Sequence, residues 1–218
     1  MSQGITELLG GLMLLCGFAL LAQRRLAAML PLYRLAALAL GAAVFWQACV
    51  RQSGGLLLAA LLTLAVKPVL LPRALRNMPF PSEPSSPGET ALPAALAMII
   101  GLALTAIAMQ AVLSGPVPPS GPVDIPLRAQ LALSLSVVLL GLLLMAIRRL
   151  ATGQFIGFLA AENGLALAAT GIPGMPWAAG LVLALLAFSL LGLFILRLRA
   201  EPAFPASNAP EPAGGWEP

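Results

Sequence analysis

Two charged side chains interrupt stretches that otherwise suit the interior of a lipid bilayer. Glu162 stands in FLAAENGLALAAT (158–170), and Lys67 stands in LTLAVKPVLLPRAL (62–75). Placing either charge at the centre of a bilayer costs at least about 2.5 kcal/mol, so each must be neutral, paired, or turned toward a hydrated interior. A carboxyl group that can be both protonated and ionised at that depth is a candidate proton carrier. The competing reading of Glu162 is a protonated group hydrogen-bonded across a helix interface. For Lys67 the neighbours add a second signal: Pro68 follows directly and Pro72 four residues later. Each proline removes a backbone donor and crowds the preceding turn, so the spacing predicts a bent helix with freed carbonyls beside an ionisable group, as in ion pathways. The competing reading is a lysine that snorkels toward Arg73.

Other chemistry is excluded by residue type. The chain has no histidine, which rules out histidine-ligated haem or zinc, a catalytic triad and a histidine proton relay. Cys16 and Cys49 lie in separate apolar segments without metal or redox spacing, and are expected only to pack. No P-loop, dinucleotide fingerprint, hydrolase motif or acidic metal box occurs, so the chain by itself does not read as a catalyst. Gln154 and Asn163 flank Glu162 and are candidates to line the same region.

The elements that must hold these residues are helices. Of 218 residues, 60% are hydrophobic and 9% charged, the mean hydropathy is +0.96, and the apolar mass is Leu and Ala rather than the aromatic-girdled alternation of a barrel. This predicts an all-α, polytopic transmembrane bundle. Runs of about 20 apolar residues fall at 4–22, 28–49, 54–75, 91–113, 127–147, 152–171 and 176–197, giving seven helices in an integral membrane domain over 1–199. The first run lacks a basic leader and a cleavage site and is expected to be retained as a helix. The Pro-rich stretches 78–90 and 114–126 are expected to be loops outside the hydrocarbon, and 200–218 a disordered tail.

The cations test that count. Arg24, Arg25, Arg73, Arg76, Arg148, Arg149, Arg197 and Arg199 follow odd-numbered helices, whereas Arg51 and Arg128 alone follow even-numbered ones. Basic loops stay cytoplasmic, which predicts an N-terminus outside and a C-terminus inside. The same placement explains a pI near 10.0 without nucleic acid as a partner. Of the 12 basic residues, Arg34 and Lys67 remain; Arg34, early in the second helix, is expected to snorkel to the cytoplasmic interface.

Glu162 falls midway along the sixth helix. Gly153, Gly157, Ala160, Ala161, Gly164 and Ala168 recur at intervals of three and four along one side of it, a close-packing stripe. Glu162 lies off that stripe, on a face with Phe158, Leu159, Leu165, Ala166 and Ala169. One face should therefore dock on a neighbour while another presents the acid elsewhere.

Taken together, QFIGFLAAENGLALAATGIPGMP (154–176) resembles the penultimate region of component E of the group 4 membrane-bound nickel–iron hydrogenases, the hydrogenase-4 component E family. LTLAVKPVLLPRAL (62–75) resembles that family's lysine-bearing helix, and the multispan layout fits over most of 1–199. The last three helices of the family, 127–197 here, are similar to the K subunit of respiratory complex I. The resemblance implies a non-catalytic membrane subunit of a hydrogenase or related complex-I-like assembly in a bacterial or archaeal cell membrane. Its partners would be other, antiporter-like membrane subunits and a peripheral redox arm, and the nickel–iron and iron–sulphur centres would belong to those partners. It implies a role in proton translocation for Glu162 and, by extension, Lys67. The final helix departs from the family pattern, with Gly180 and Leu186 where acids are expected, so a two-acid relay is not implied. A cation/proton antiporter subunit and a purely structural membrane anchor are the alternatives.

Overall fold

The computed structural model describes residues 2–77, 92–115, 125–172 and 177–200. The connection 78–90, most of the connection 114–126 and the tail 201–218, with the loop and disorder expectations attached to them, lie outside the described residues. Seven helices make up the rest: α1 (Ser2–Ala22), α2 (Leu26–Arg51), α3 (Gly54–Arg76), α4 (Ala94–Leu113), α5 (Ile125–Ile147), α6 (Ala151–Gly171) and α7 (Ala178–Ala200). Among the described residues there is no β-strand. The chain is all-α, as its composition predicts.

Local chemistry sets the boundaries. Between α2 and α3 the turn is two residues long: Gln52 adopts the left-handed conformation at φ 52° and its N–H returns to the carbonyls of Ala48 and Cys49. Ser53 then caps α3 by accepting from the Leu56 N–H at 3.4 Å. Within α3 the two prolines force a change of pitch. Residues Val66–Leu70 form a π-helical segment, closed by the Leu71 N–H bonding to the Val66 carbonyl five residues back. Pro72 has no N–H to give the Pro68 carbonyl four residues earlier. That carbonyl instead accepts from Arg34 Nε on α2 at 3.1 Å. The expected break beside Lys67 is thus a π segment, with one freed carbonyl taken by an arginine.

Six of the seven helices are long and apolar enough to cross a membrane, and the chain is a multi-pass membrane protein; the helix that does not meet that measure is α6. This differs from the seven apolar spans expected, for a physical reason. Sixteen of the 21 residues of α6 are buried by protein, from Thr152 to Gly171, so its surface needs compatibility with other helices rather than with lipid. Small and polar residues are permitted there. The lipid-type surface is carried by other helices, through exposed Leu8 and Leu15 on α1, Ile99, Leu102 and Ile107 on α4, and Phe188 and Phe194 on α7.

The glycine stripe explains how α6 is wrapped. A Cβ at Gly157 would lie 2.5 Å from the Met145 backbone nitrogen, one at Gly164 would lie 2.8 Å from the Ser134 carbonyl and Val138 nitrogen, and one at Gly141 would lie 2.3 Å from the Ala161 nitrogen. α5 and α6 are in backbone contact along their length, the arrangement the stripe predicts. α6 runs antiparallel along α5. α2 and α7 pack on other sides of α6, and α3 packs against α2 and α7.

Arginines tie the helix ends together. Arg148, buried after α5, donates to the carbonyls of Leu20, Gln23 and Arg24 at the end of α1. Arg51 at the end of α2 donates to the Thr170 carbonyl at 2.7 Å and to that of Gly171 at 3.4 Å, closing α6. Arg128 on α5 donates to the carbonyls of Leu113, the last residue of α4, and of Gly115 just past it. The last carbonyls of a helix have no partner of their own, and a guanidinium satisfies both their hydrogen bonds and their partial negative charge. These contacts put the ends of α1 and α5 at one end of the bundle and those of α2, α4 and α6 at the other, as alternating helices require.

A buried lysine–glutamate network between three helices

Lys67 and Glu162 meet. Lys67 sits about 14 Å of helical rise before the Arg76 end of α3, and Glu162 about 14 Å before the Gly171 end of α6, so both lie well inside the bundle. The π segment carries Lys67 on a widened turn facing α6, and α2 and α7 close the space on either side. Lys67 Nζ donates to Glu162 Oε1 at 2.9 Å and to Asn163 Oδ1 at 2.8 Å. Ser189 on α7 donates its hydroxyl to Glu162 Oε2. Exposure is 1% for Lys67 and 2% for Glu162, and Asn163 and Ser189 are equally enclosed.

The lysine does not snorkel toward Arg73; its ammonium turns inward. Arg34 is exposed on α2, and its guanidinium is engaged with the π segment at the Pro68 carbonyl. Asn163 joins the acid as its position suggests. Gln154 does not: its amide donates to the Arg148 carbonyl at 2.9 Å, at the end of the helix. Cys16 is buried, Cys49 is exposed, and neither forms a disulfide.

Two members of the site carry no charge to announce them. Ser189 is the one polar residue in the run Leu181–Leu196, and Tyr33 is the chain's one tyrosine, next to Arg34. Tyr33 is fully buried on α2, in one cluster with Leu71 on α3 and with Ile156 and Leu159 on α6. The final helix contributes the Ser189 hydroxyl, and Leu186 and Gly180 do not join the network; a Cβ at Gly180 would meet nothing within 4 Å.

The arrangement allows one chemical event without changing the net charge of the interior. A proton moving from Lys67 Nζ to Glu162 Oε1 converts a charged pair into a neutral amine and carboxylic acid, across a hydrogen bond that already exists. Each form keeps its partners, since Asn163 Oδ1 and Ser189 Oγ remain in place. The low dielectric makes an unpaired charge costly, but lets either paired form persist.

No protein-family model, curated protein or solved structure matches this chain.

Proposed function

We propose that the chain is a non-catalytic membrane subunit of a hydrogenase or related complex-I-like assembly, in which the Lys67–Glu162 pair passes a proton within the membrane and the surrounding helices hold neighbouring subunits. The observation that carries this reading is the pair itself, a buried ammonium 2.9 Å from a buried carboxylate. Intramembrane ionisable residues are costly, and proton relays are among their recurring uses. The resemblance of 62–75 and 154–176 to component E supports the assignment from a different direction, since the two segments that carry it are the two that meet. In this reading the protein lies in a bacterial or archaeal cell membrane with its N-terminus outside and C-terminus in the cytoplasm. Nickel–iron and iron–sulphur centres belong to partner subunits.

One observation favours a second reading, a structural anchor. Both Glu162 oxygens and two of the three Lys67 protons are already engaged, which is what a clamp between α3, α6 and α7 requires. Gentle detergent extraction followed by identification of the co-purifying subunits tests the assembly: hydrogenase or quinone-reductase-like polypeptides are expected. Antiporter polypeptides alone would move the chain to a cation/proton antiporter, and isolation without partners would overturn the proposal.

A further inference from the structure

Beside the ion pair, two buried polar atoms have no hydrogen-bond partner among the described residues: the Tyr33 hydroxyl on α2 and Asn163 Nδ2 on α6. Both side chains are almost wholly enclosed, Tyr33 at 0% and Asn163 at 1% exposure. Orphaned groups of this kind are rare in folded proteins, because each forfeits the hydrogen bonds it made with water.

The orientation of Asn163 is fixed by chemistry. The Lys67 ammonium has only protons to offer, so the amide must present Oδ1 to it, as it does at 2.8 Å, and Nδ2 must point elsewhere. Turning the amide over would set two donors against each other. The third ammonium proton of Lys67 is likewise not taken up by Glu162 or Asn163. The pair is therefore bordered by donors: an amide N–H, an ammonium N–H and a phenolic O–H. Tyr33 belongs to the same neighbourhood, since it shares a buried cluster with Leu71 on α3 and with Ile156 and Leu159 on α6, the last of these one helical turn before Asn163. Its backbone is held there by the next residue, Arg34, whose guanidinium is bonded to the π segment one residue past Lys67.

What such a rim needs is a small acceptor. A chloride or hydroxide would satisfy donors but would place an anion next to Glu162. Water accepts two hydrogen bonds and adds no charge. We propose that the Tyr33 hydroxyl and the Asn163 amide share a bound water that extends the Lys67–Glu162 network from α6 onto α2. Tyr33 is then a positioning residue for that water, and the network spans all four helices. This site goes beyond the proton-passing role proposed above, and its test does not depend on proton movement.

The test is a double-mutant cycle on thermal stability, in detergent-purified full-length chain, with Tyr33→Phe, Asn163→Ala and the double variant. Tyr33→Phe keeps the ring and removes only the hydroxyl. If that hydroxyl holds a water shared with Asn163, the variant lowers Tm by about 2 to 4 °C in the wild-type background and changes it far less once Asn163 is alanine. If the hydroxyl is idle, deleting an unsatisfied buried group raises Tm or leaves it unchanged, which overturns the proposal. A fall of the same size in both backgrounds means that Tyr33 has a partner Asn163 does not share, and overturns it equally.

Discussion

The carbonyl of Pro68, one residue past Lys67, accepts its hydrogen bond from Arg34 on the neighbouring helix, at 3.1 Å. It does so because Pro72, four residues on, cannot supply the backbone donor. One arginine thus compensates for one proline, and in doing so fixes α2 against the turn that carries the buried lysine.

That compensation gives a first prediction. Arg34→Met keeps the stem of the side chain but leaves the carbonyl without a donor, and should destabilise the bundle by about 1 kcal/mol. In a Pro72→Ala background an amide N–H is restored within α3, and the same change at Arg34 should have little effect. Thermal melts of the four variants check this; equal losses with and without Pro72 would show that Arg34 contributes something other than that bond.

Backbone contact between α5 and α6 gives a second. Gly157→Val puts a side chain where even Cβ would be 2.5 Å from the Met145 nitrogen. Neither backbone can yield without separating the helices, so the cost should exceed the about 1 to 3 kcal/mol of ordinary overpacking. Gly180→Ala, where a Cβ meets nothing within 4 Å, should be neutral or slightly stabilising because alanine is the better helix former. Yield of folded protein by size-exclusion chromatography compares the two, and equal tolerance at both positions would contradict the packing.

Much of this was legible in the sequence, and the illegible part follows a rule. Hydropathy marks the helices because lipid imposes it from outside. It marks α6 least clearly because protein surrounds α6, and the glycine stripe, a record of backbone contact, locates the helix better than its apolar content. Lys67 and Glu162 each stand out because an intramembrane charge is costly, yet their meeting is a tertiary fact across 95 residues that no local spacing encodes. Ser189 and Tyr33 escape notice because their insertion costs little. A serine can satisfy itself on the carbonyl one turn back, as Thr63 does at Ala59, and a tyrosine reads as an aromatic.

The arginine caps also sharpen the topology. Of the two cations that follow even-numbered helices, Arg51 and Arg128, both are engaged on helix-end carbonyls, so a structural role accounts for their presence on that side. Six of the eight on the opposite side flank α1, α3 and α7, where the rule for basic loops applies. Cysteine labelling in intact cells should therefore modify the 114–126 connection from outside and spare 78–90, and the reverse pattern would invert the protein.

Removing one partner of the central pair should reveal how the two are coupled. Lys67→Met leaves Glu162 with Ser189 but without a cation, and a buried pair broken in this way costs about 3 to 5 kcal/mol. Lys67→Met with Glu162→Leu removes both polar groups together and should recover much of the stability, because an apolar pair of similar volume carries no desolvation cost. Stability measured for the single and double variants distinguishes this coupling from two independent sites, for which the losses would add.

Function is decided at Glu162. Glu162→Gln preserves volume, leaves an amide oxygen for Lys67 and keeps a polar group opposite Ser189, so α3, α6 and α7 can stay tied. What it cannot do is exchange a proton. If the pair passes protons, the assembled complex carrying Glu162→Gln should keep electron transfer in its redox arm and lose proton-gradient formation in sealed vesicles. Glu162→Asp should restore part of it, because the titrating group is back though shorter by one methylene. A clamp behaves differently: Glu162→Gln would be nearly neutral, and Glu162→Leu would lower the yield of complex by leaving Lys67 buried without its anion. Measuring yield and proton movement together separates the two outcomes, and full coupling in the glutamine variant would take Glu162 out of any proton path.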